Sequence, residues 1–378
     1  MDLLEHTSTQ SILFFILYGV TGAVPLIAAL YLMLRRANVF APDITPPKRL
    51  RRWAAAFFGV AALGHVWWFL FYIYLRDHQL LDGAVPSAGY VAVVVLDCVT
   101  MLTTLASTLL SMLQDRCRPV WPAFVAMIPF VALGGVLMVY PNQIVMLITP
   151  AYILLLYALF TIYMVFAVRR YGRWLNDNYA DLENKKVWLS QVVTLGCLLL
   201  LILYTLVDIK SPLLMYLMHL AELVLFGLLL WRVETMPDLE TPPQPLSHQE
   251  EPSGGSVNID LAQIEQLLAE HCVAPQLYLQ HDLTLIQLAQ AIGTNRSYLS
   301  RYFSRQGITY NIYINNLRIN HFISRYQEAA AAGQPIVVQQ LASESGYRSY
   351  STFSLAFKQR TGQSVTAWMN SSEGEILG

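Results

Sequence analysis

Residues 283–303 read LTLIQLAQAIGTNRSYLSRYF. The spacing predicts two short helices joined by a tight turn. Thr284 stands where it can cap the first helix, and Gln287, one turn on, completes a capping box. Leu288, Ala289 and Ile292 follow at helical spacing, and Ala289 is small enough for a second helix to cross close by. Gly293 falls where the chain has to turn with a positive φ. Asn295 is placed to cap the second helix, whose inner face is Leu299 and Phe303. Its outer face holds Arg296, Ser297, Ser300 and Arg301. Cationic and hydroxyl groups on an unpacked face suit a helix laid into a DNA major groove.

The pattern recurs downstream as VVQQLASESGYRSYSTFSLAFKQRTG, residues 337–362. Leu341 and Ala342 repeat Leu288 and Ala289, Gly346 repeats Gly293, and Phe353 and Phe357 repeat Leu299 and Phe303. Arg348, Ser349, Tyr350, Ser351, Thr352, Lys358 and Arg360 fall on the outer face. Between the copies, Thr309 opens a long helix, YNIYINNLRINHFISRYQEAAAA, that Gly333 and Pro335 stop. Any pair of short helices can imitate one helix–turn–helix; two copies joined by one long helix are a much stronger signal. Residues 284–370 hold eight Lys or Arg against two acids, Glu328 and Glu344, although the chain's net charge is −1. That local excess suits an anionic partner. A lead helix from Ile259 to His271 carries Leu261, Ile264, Leu267 and Leu268 as an apolar stripe. It can pack on this domain or pair with a second copy, so a homodimer stays open.

Residues 261–369 resemble the AraC/XylS-type DNA-binding domain. The motifs that carry the resemblance are LAQAIGTNRSYLSRYF, YINNLR ending at Arg318, and LASESGYRSYSTFSLAFKQRTG, in which GY, F, FK and G stand at the family's spacing. Together with the apolar half described next, the chain looks like the membrane-embedded members of this family seen in bacteria. The resemblance implies two recognition helices entering successive major grooves about 34 Å apart. It implies base-edge contacts for Ser297, Ser300 and Arg301 in the first helix, and for Tyr350, Ser351 and Thr352 in the second. It implies phosphate contacts for Arg296, Arg305, Arg348, Ser349, Lys358 and Arg360. Three positions depart from the family's pattern. Leu355 stands on the second recognition helix where a polar residue is usual, Val365 replaces the usual proline, and the connection after the long helix is long and Ala-rich.

Upstream the composition changes. Hydrophobic residues make up 55% of the 378, charged residues 13%, and mean hydropathy is +0.44, too apolar for a soluble chain of this size. Seven apolar stretches are long enough to cross a bilayer: 11–34, 53–75, 88–113, 120–140, 143–168, 187–207 and 212–231. The first is too long for a cleavable signal peptide, and its leader, MDLLEHTSTQ, is acidic. The loops after spans one, three and five hold thirteen Lys or Arg, including Arg35, Arg49, Arg116, Arg118, Arg173 and Lys186. The leader and the other three loops hold only Arg76 and Lys210. That bias predicts an N-terminus outside and a C-terminus in the cytoplasm, and the resemblance implies a bacterial inner membrane.

Few polar groups lie in the spans. Asp97 sits near Thr100, Thr103, Thr104 and Ser107; Glu222 lies one turn after His219; His65 stands beside Trp67 and Trp68. One reading of Asp97, His219 and Glu222 is an intramembrane site that senses a ligand, ion or proton. The plainer reading is hydrogen bonding between helices that fixes their packing. The cysteines, Cys98, Cys117, Cys197 and Cys272, are expected as free thiols. No HExxH, GxSxG, Gly-rich phosphate loop or His/Cys cluster at ligand spacing is present, so neither catalysis, nor a metal, nor a cofactor is expected.

The expected architecture is all-α. A seven-span domain fills 1–233, a disordered Pro-rich acidic tether 234–257, the DNA-binding domain 258–370 and a short tail 371–378. The expected function is a membrane-anchored, one-component transcription regulator. Its partners are double-stranded DNA, the lipid bilayer and an unidentified small-molecule or membrane-protein signal. The alternative is a transporter or channel with a regulatory DNA-binding-like appendage.

Overall fold

In the computed structural model of the chain, the described residues are 9–35, 37–77, 87–182, 192, 196, 212–239 and 261–376. Their regular structure is helical apart from one isolated bridge between Tyr179 and Thr284. They fall into two compact units. The first is Met1–Tyr171 with Val187–Pro242; the second is Gly172–Lys186 with Pro243–Gly378.

The first unit contains α1 (Thr9–Leu34), α2 (Lys48–Asp77), α3 (Ala88–Ser111), α4 (Trp121–Ala126), α5 (Ile128–Val139), most of α6 (Gln143–Asn178) and α7 (Pro212–Thr235). Six stretches among the described residues are long and apolar enough to cross a membrane. The fourth is broken at Met127, where Pro129 opens α5. The expected sixth span, 187–207, lies outside the described residues except for Val192 and Gly196, both helical. The outward faces are apolar: Leu147, Leu159 and Phe166 on α6 are each more than half exposed. Such faces are stable only against lipid or another apolar surface. Inside, the α3 hydroxyls bond back to their own helix, as Ser107 Oγ does to the Thr103 carbonyl at 2.6 Å. At one end of the bundle Arg35 pairs with the buried Glu234 at 3.0 Å, and Tyr31 Oη and Asn38 Nδ2 also bond to Glu234.

The start of the expected tether is not free. α7 runs to Thr235, Met236 and Leu239 are buried, and the Leu239 amide donates to Gln114 Oε1 at 2.8 Å. Apolar side chains among the prolines supply this anchor, which composition alone masks. Residues 240–257 of the tether lie outside the described residues.

The second unit contains α8 (Leu261–Leu268), a π-turn at Ala269–Val273, α9 (Leu285–Ala291), α10 (Arg296–Arg305), α11 (Tyr310–Ala331), α12 (Val338–Glu344), α13 (Tyr350–Thr361) and α14 (Val365–Ile376). It has two cores. Ile264 and Leu268 of α8 pack with Leu288, Leu299, Phe303 and Ile314 in the first. Phe322, Leu341, Phe353 and Phe357 form the second. The lead helix therefore packs on its own domain.

One piece of this unit comes from far upstream. Ala180 is fully buried in the first core. Asn311 Nδ2 donates to the Tyr179 and Ala180 carbonyls at 3.1 and 2.6 Å, and Asn315 Nδ2 to Ala180 at 3.2 Å. Asn311 and Asn315 share one face of α11, so two amides clamp one short segment. The expected domain boundary at residue 258 misses this segment, because a contact across more than a hundred residues leaves no local pattern.

Candidate nucleic-acid interface

The first helix–turn–helix is built from local bonds. The Thr284 hydroxyl accepts from the Gln287 amide, and Gln287 Oε1 accepts from the Thr284 amide at 2.9 Å, completing the capping box. Gly293 turns the chain at φ 70°, and the Thr294 amide closes the end of α9 on the Ala289 carbonyl at 2.8 Å. Asn295 Oδ1 then accepts from the Tyr298 amide and starts α10. With Leu299 and Phe303 buried, Ser297, Arg301 and Arg305 are exposed and Ser300 is half-buried. Arg296 differs from its neighbours. It is half-buried, burial lowers its guanidinium pKa, and Tyr179 and Asp177 of the upstream segment oppose that shift. The Asp177 carboxylate thus lies within electrostatic reach of this arginine.

The second helix–turn–helix uses other means. Val337 gives α12 no side-chain cap. Gly346 turns at φ 89°, and a Cβ there would stand 2.9 Å from both Arg318 Nε and the Leu279 carbonyl oxygen. Ser349 caps α13 by accepting from the Thr352 amide at 3.3 Å, and its hydroxyl also meets those of Ser351 and Thr352. Ser349 is thus a structural cap as well as an expected phosphate contact. Tyr350, Ser351, Lys358 and Arg360 are exposed and Thr352 is half-buried. Arg348 is exposed and pairs with Asp282 at 3.2 Å. Leu355 is 51% exposed on the same outward face, between Ser351 and Lys358.

Arg318 joins the two halves. Its Nε donates to the Tyr278 carbonyl at 2.7 Å, and one terminal nitrogen donates to the Gln280 and His281 carbonyls. Its guanidinium also lies over the Tyr347 ring, 5.5 Å from the centroid. Burial lowers its pKa; Tyr347, Tyr310, Asp181 and Asp282 oppose the shift. Arg318 ends the YINNLR motif, yet only the structure shows that it holds the Tyr278–His281 segment, which leads into the first helix–turn–helix, against the turn of the second.

Residues 288–371 match a family model described as a helix-turn-helix domain. These residues are thus similar to a helix–turn–helix domain of the AraC type. The match starts at α9 and ends within α14, and it covers α10 and α13 but well under half of the 378 residues. No curated protein and no solved structure matches the chain. The match supports DNA binding and transcription regulation for these residues.

Asp97, His219 and Glu222, the three residues expected within the membrane, lie in the first unit. His219 and Glu222 share α7, with Nδ1 to Oε2 at 3.4 Å. Asp97 on α3 has Oδ1 3.0 Å from the place a Cβ on Gly64 would occupy. The structure brings His65 to them, which sequence spacing could not. A separate apolar cavity of about 370 Å³ is lined by Leu102, Ala106, Met127, Tyr157 and Phe160.

Proposed function

We propose that this chain is a membrane-anchored transcription regulator whose cytoplasmic unit reads duplex DNA with α10 and α13. The observation that carries this reading is the pair of equivalent helix–turn–helix units, each with its polar face outward, held on one long helix by Arg318. Ser297, Ser300 and Arg301 face bases from α10; Tyr350, Ser351 and Thr352 do so from α13. Leu355 adds an apolar contact of the kind a thymine methyl accepts. Arg305, Lys358 and Arg360 hold phosphates, and Arg296 and Arg348 join them on exchanging Asp177 and Asp282 for phosphate. The charge bias of the loops supports a cytoplasmic C-terminus, and the resemblance to membrane-embedded members of the family seen in bacteria points to a bacterial inner membrane. The bundle senses rather than catalyses. Its state reaches the DNA-binding unit along the chain, through the tether after α7 and through the Tyr179–Asp181 segment that follows α6.

The test uses the whole chain in lipid nanodiscs, because Ala180 belongs to the domain core. DNA fragments recovered by crosslinking in cells are titrated across a salt series. Affinity falls steeply with salt, and Arg301→Ala costs about 1–3 kcal/mol on the preferred fragment. Binding indifferent to both salt and Arg301→Ala would sink the proposal.

A further inference from the structure

His65, His219 and Glu222 come from two different helices, α2 and α7, and their ligand-capable atoms all lie within 4.8 Å of one another. His219 is buried, 5% exposed, and its Nδ1 has no hydrogen-bond partner; its nearest acid is Glu222 at 3.4 Å. His65 Nδ1 lies 2.9 Å from the Ala61 carbonyl, so that nitrogen carries the proton and Nε2 is left as a lone-pair donor. A backbone carbonyl on the far nitrogen is the usual way a histidine ligand is oriented and made more basic. The aromatic ring of Tyr18 packs on both imidazoles, with centroids at 5.1 Å from His65 and 5.8 Å from His219. It walls the site on the α1 side.

We propose that this cluster is a binding site for a divalent first-row transition-metal ion, with two imidazole nitrogens and one carboxylate as its protein ligands. This deepens the sensing role proposed above and rests on it for its regulatory meaning, though not for the binding itself. The donor set is the argument for the class. Two histidines and a carboxylate suit zinc, iron, nickel or manganese ions, and suit poorly calcium or magnesium, which prefer oxygen alone. Bonds of about 2.1 Å in a tetrahedral site put ligand atoms about 3.4 Å apart, so loading draws α2 and α7 together by about 1 Å. Charge points the same way. Asp97 is within electrostatic reach of His65 and Glu222, and among the described residues no Lys or Arg pairs with either acid. Two carboxylates at membrane depth are costly without a cation, and a dication balances both. The site lies on α7 about 22 Å along the helix from Glu234, whose pairing with Arg35 closes the bundle's other end. A small shift of α7 against α2 therefore reaches the end from which the tether leaves.

The experiment takes the full chain with any histidine tag removed, in nanodiscs, stripped with a chelator and dialysed against Zn²⁺. One zinc per chain by elemental analysis is expected, with at least a tenfold weaker affinity in His65→Gln and in Glu222→Gln. Because a variant can misfold, Cu²⁺ is also loaded into the unmodified chain, and its electron paramagnetic resonance should show two coordinated nitrogens. Arg301→Ala should bind zinc as the parent does while losing DNA, which separates a failure of this site from a failure of the DNA-binding reading. No stoichiometric zinc, zinc uptake indifferent to His65→Gln and Glu222→Gln, or a copper spectrum with fewer than two nitrogens overturns the site. Zinc that binds but leaves DNA affinity unchanged overturns its sensing role.

Discussion

The two helix–turn–helix units look alike in outline and are held together by different forces. The first is made locally: a capping box at Thr284, a turn glycine with open space around it at Gly293, and an asparagine cap on α10. The second begins on an uncapped valine, and its turn glycine, Gly346, is pressed against Arg318 and the Leu279 carbonyl. Equivalent positions thus carry different physical demands. At Gly293 the demand is a backbone angle. At Gly346 it is that angle plus the absence of a side chain. The first sets its caps and its turn with its own residues, whereas the turn of the second is completed by contacts from elsewhere in the domain.

Removing Arg318 tests this contrast most severely. Arg318→Ala leaves three carbonyls without their charged donor and opens the seam between the units, so a loss of at least about 4 kcal/mol is expected. Hydrogen exchange should show α13 losing protection before α10. If both lose it equally, the asymmetry is wrong. Arg318→Lys should rescue little, because one ammonium cannot reproduce the planar fork.

Next in size is the glycine pair. Gly293→Ala should cost about 1–2 kcal/mol, the strain of a left-handed residue. Gly346→Ala should cost about 3 kcal/mol or more, since its Cβ also displaces packed atoms. Denaturant unfolding of the two variants decides it, and equal losses would break the comparison.

The caps come third. Thr284→Ala should cost about 1 kcal/mol, while Val337→Ser should gain a few tenths to about 1 kcal/mol by supplying the cap that α12 lacks. A neutral result at Thr284 would mean that α9 is also set by tertiary contacts.

The smallest effect concerns pH. His321 on α11 lies 3.4 Å from the Tyr278 hydroxyl, and burial followed by the Arg325 charge lowers its pKa. The unfolded chain takes up the proton first, so stability is full above the ordinary histidine value. It declines as pH falls through that value toward the folded one. His321→Phe should flatten this part of the stability–pH curve, and an unchanged curve would exclude His321 as its source.

Much of this was legible in the sequence because it is periodic or adjacent. Leu288, Ala289, Leu299 and Phe303 announce their helices by spacing, Thr284 and Asn295 announce the starts, and long apolar runs announce the spans. The outward position of Ser297, Arg301, Ser351 and Lys358 follows from the same periodicity. Arg296 shows where that reasoning stops. Its place on the helix was legible, and its neighbour Asp177 was not.

By itself, the sequence determined the all-α class, a membrane-suited half, and a duplicated helix–turn–helix. Each depends on hydrophobic periodicity and capping chemistry that act within a few residues. Only the tertiary structure decided that Ala180 belongs to the domain core and that Arg318 holds the two units together. It alone decided that His65 meets His219 and Glu222. Those outcomes depend on contacts between residues far apart in the chain. Burial makes such contacts strong, because a buried polar group must find a partner wherever one lies.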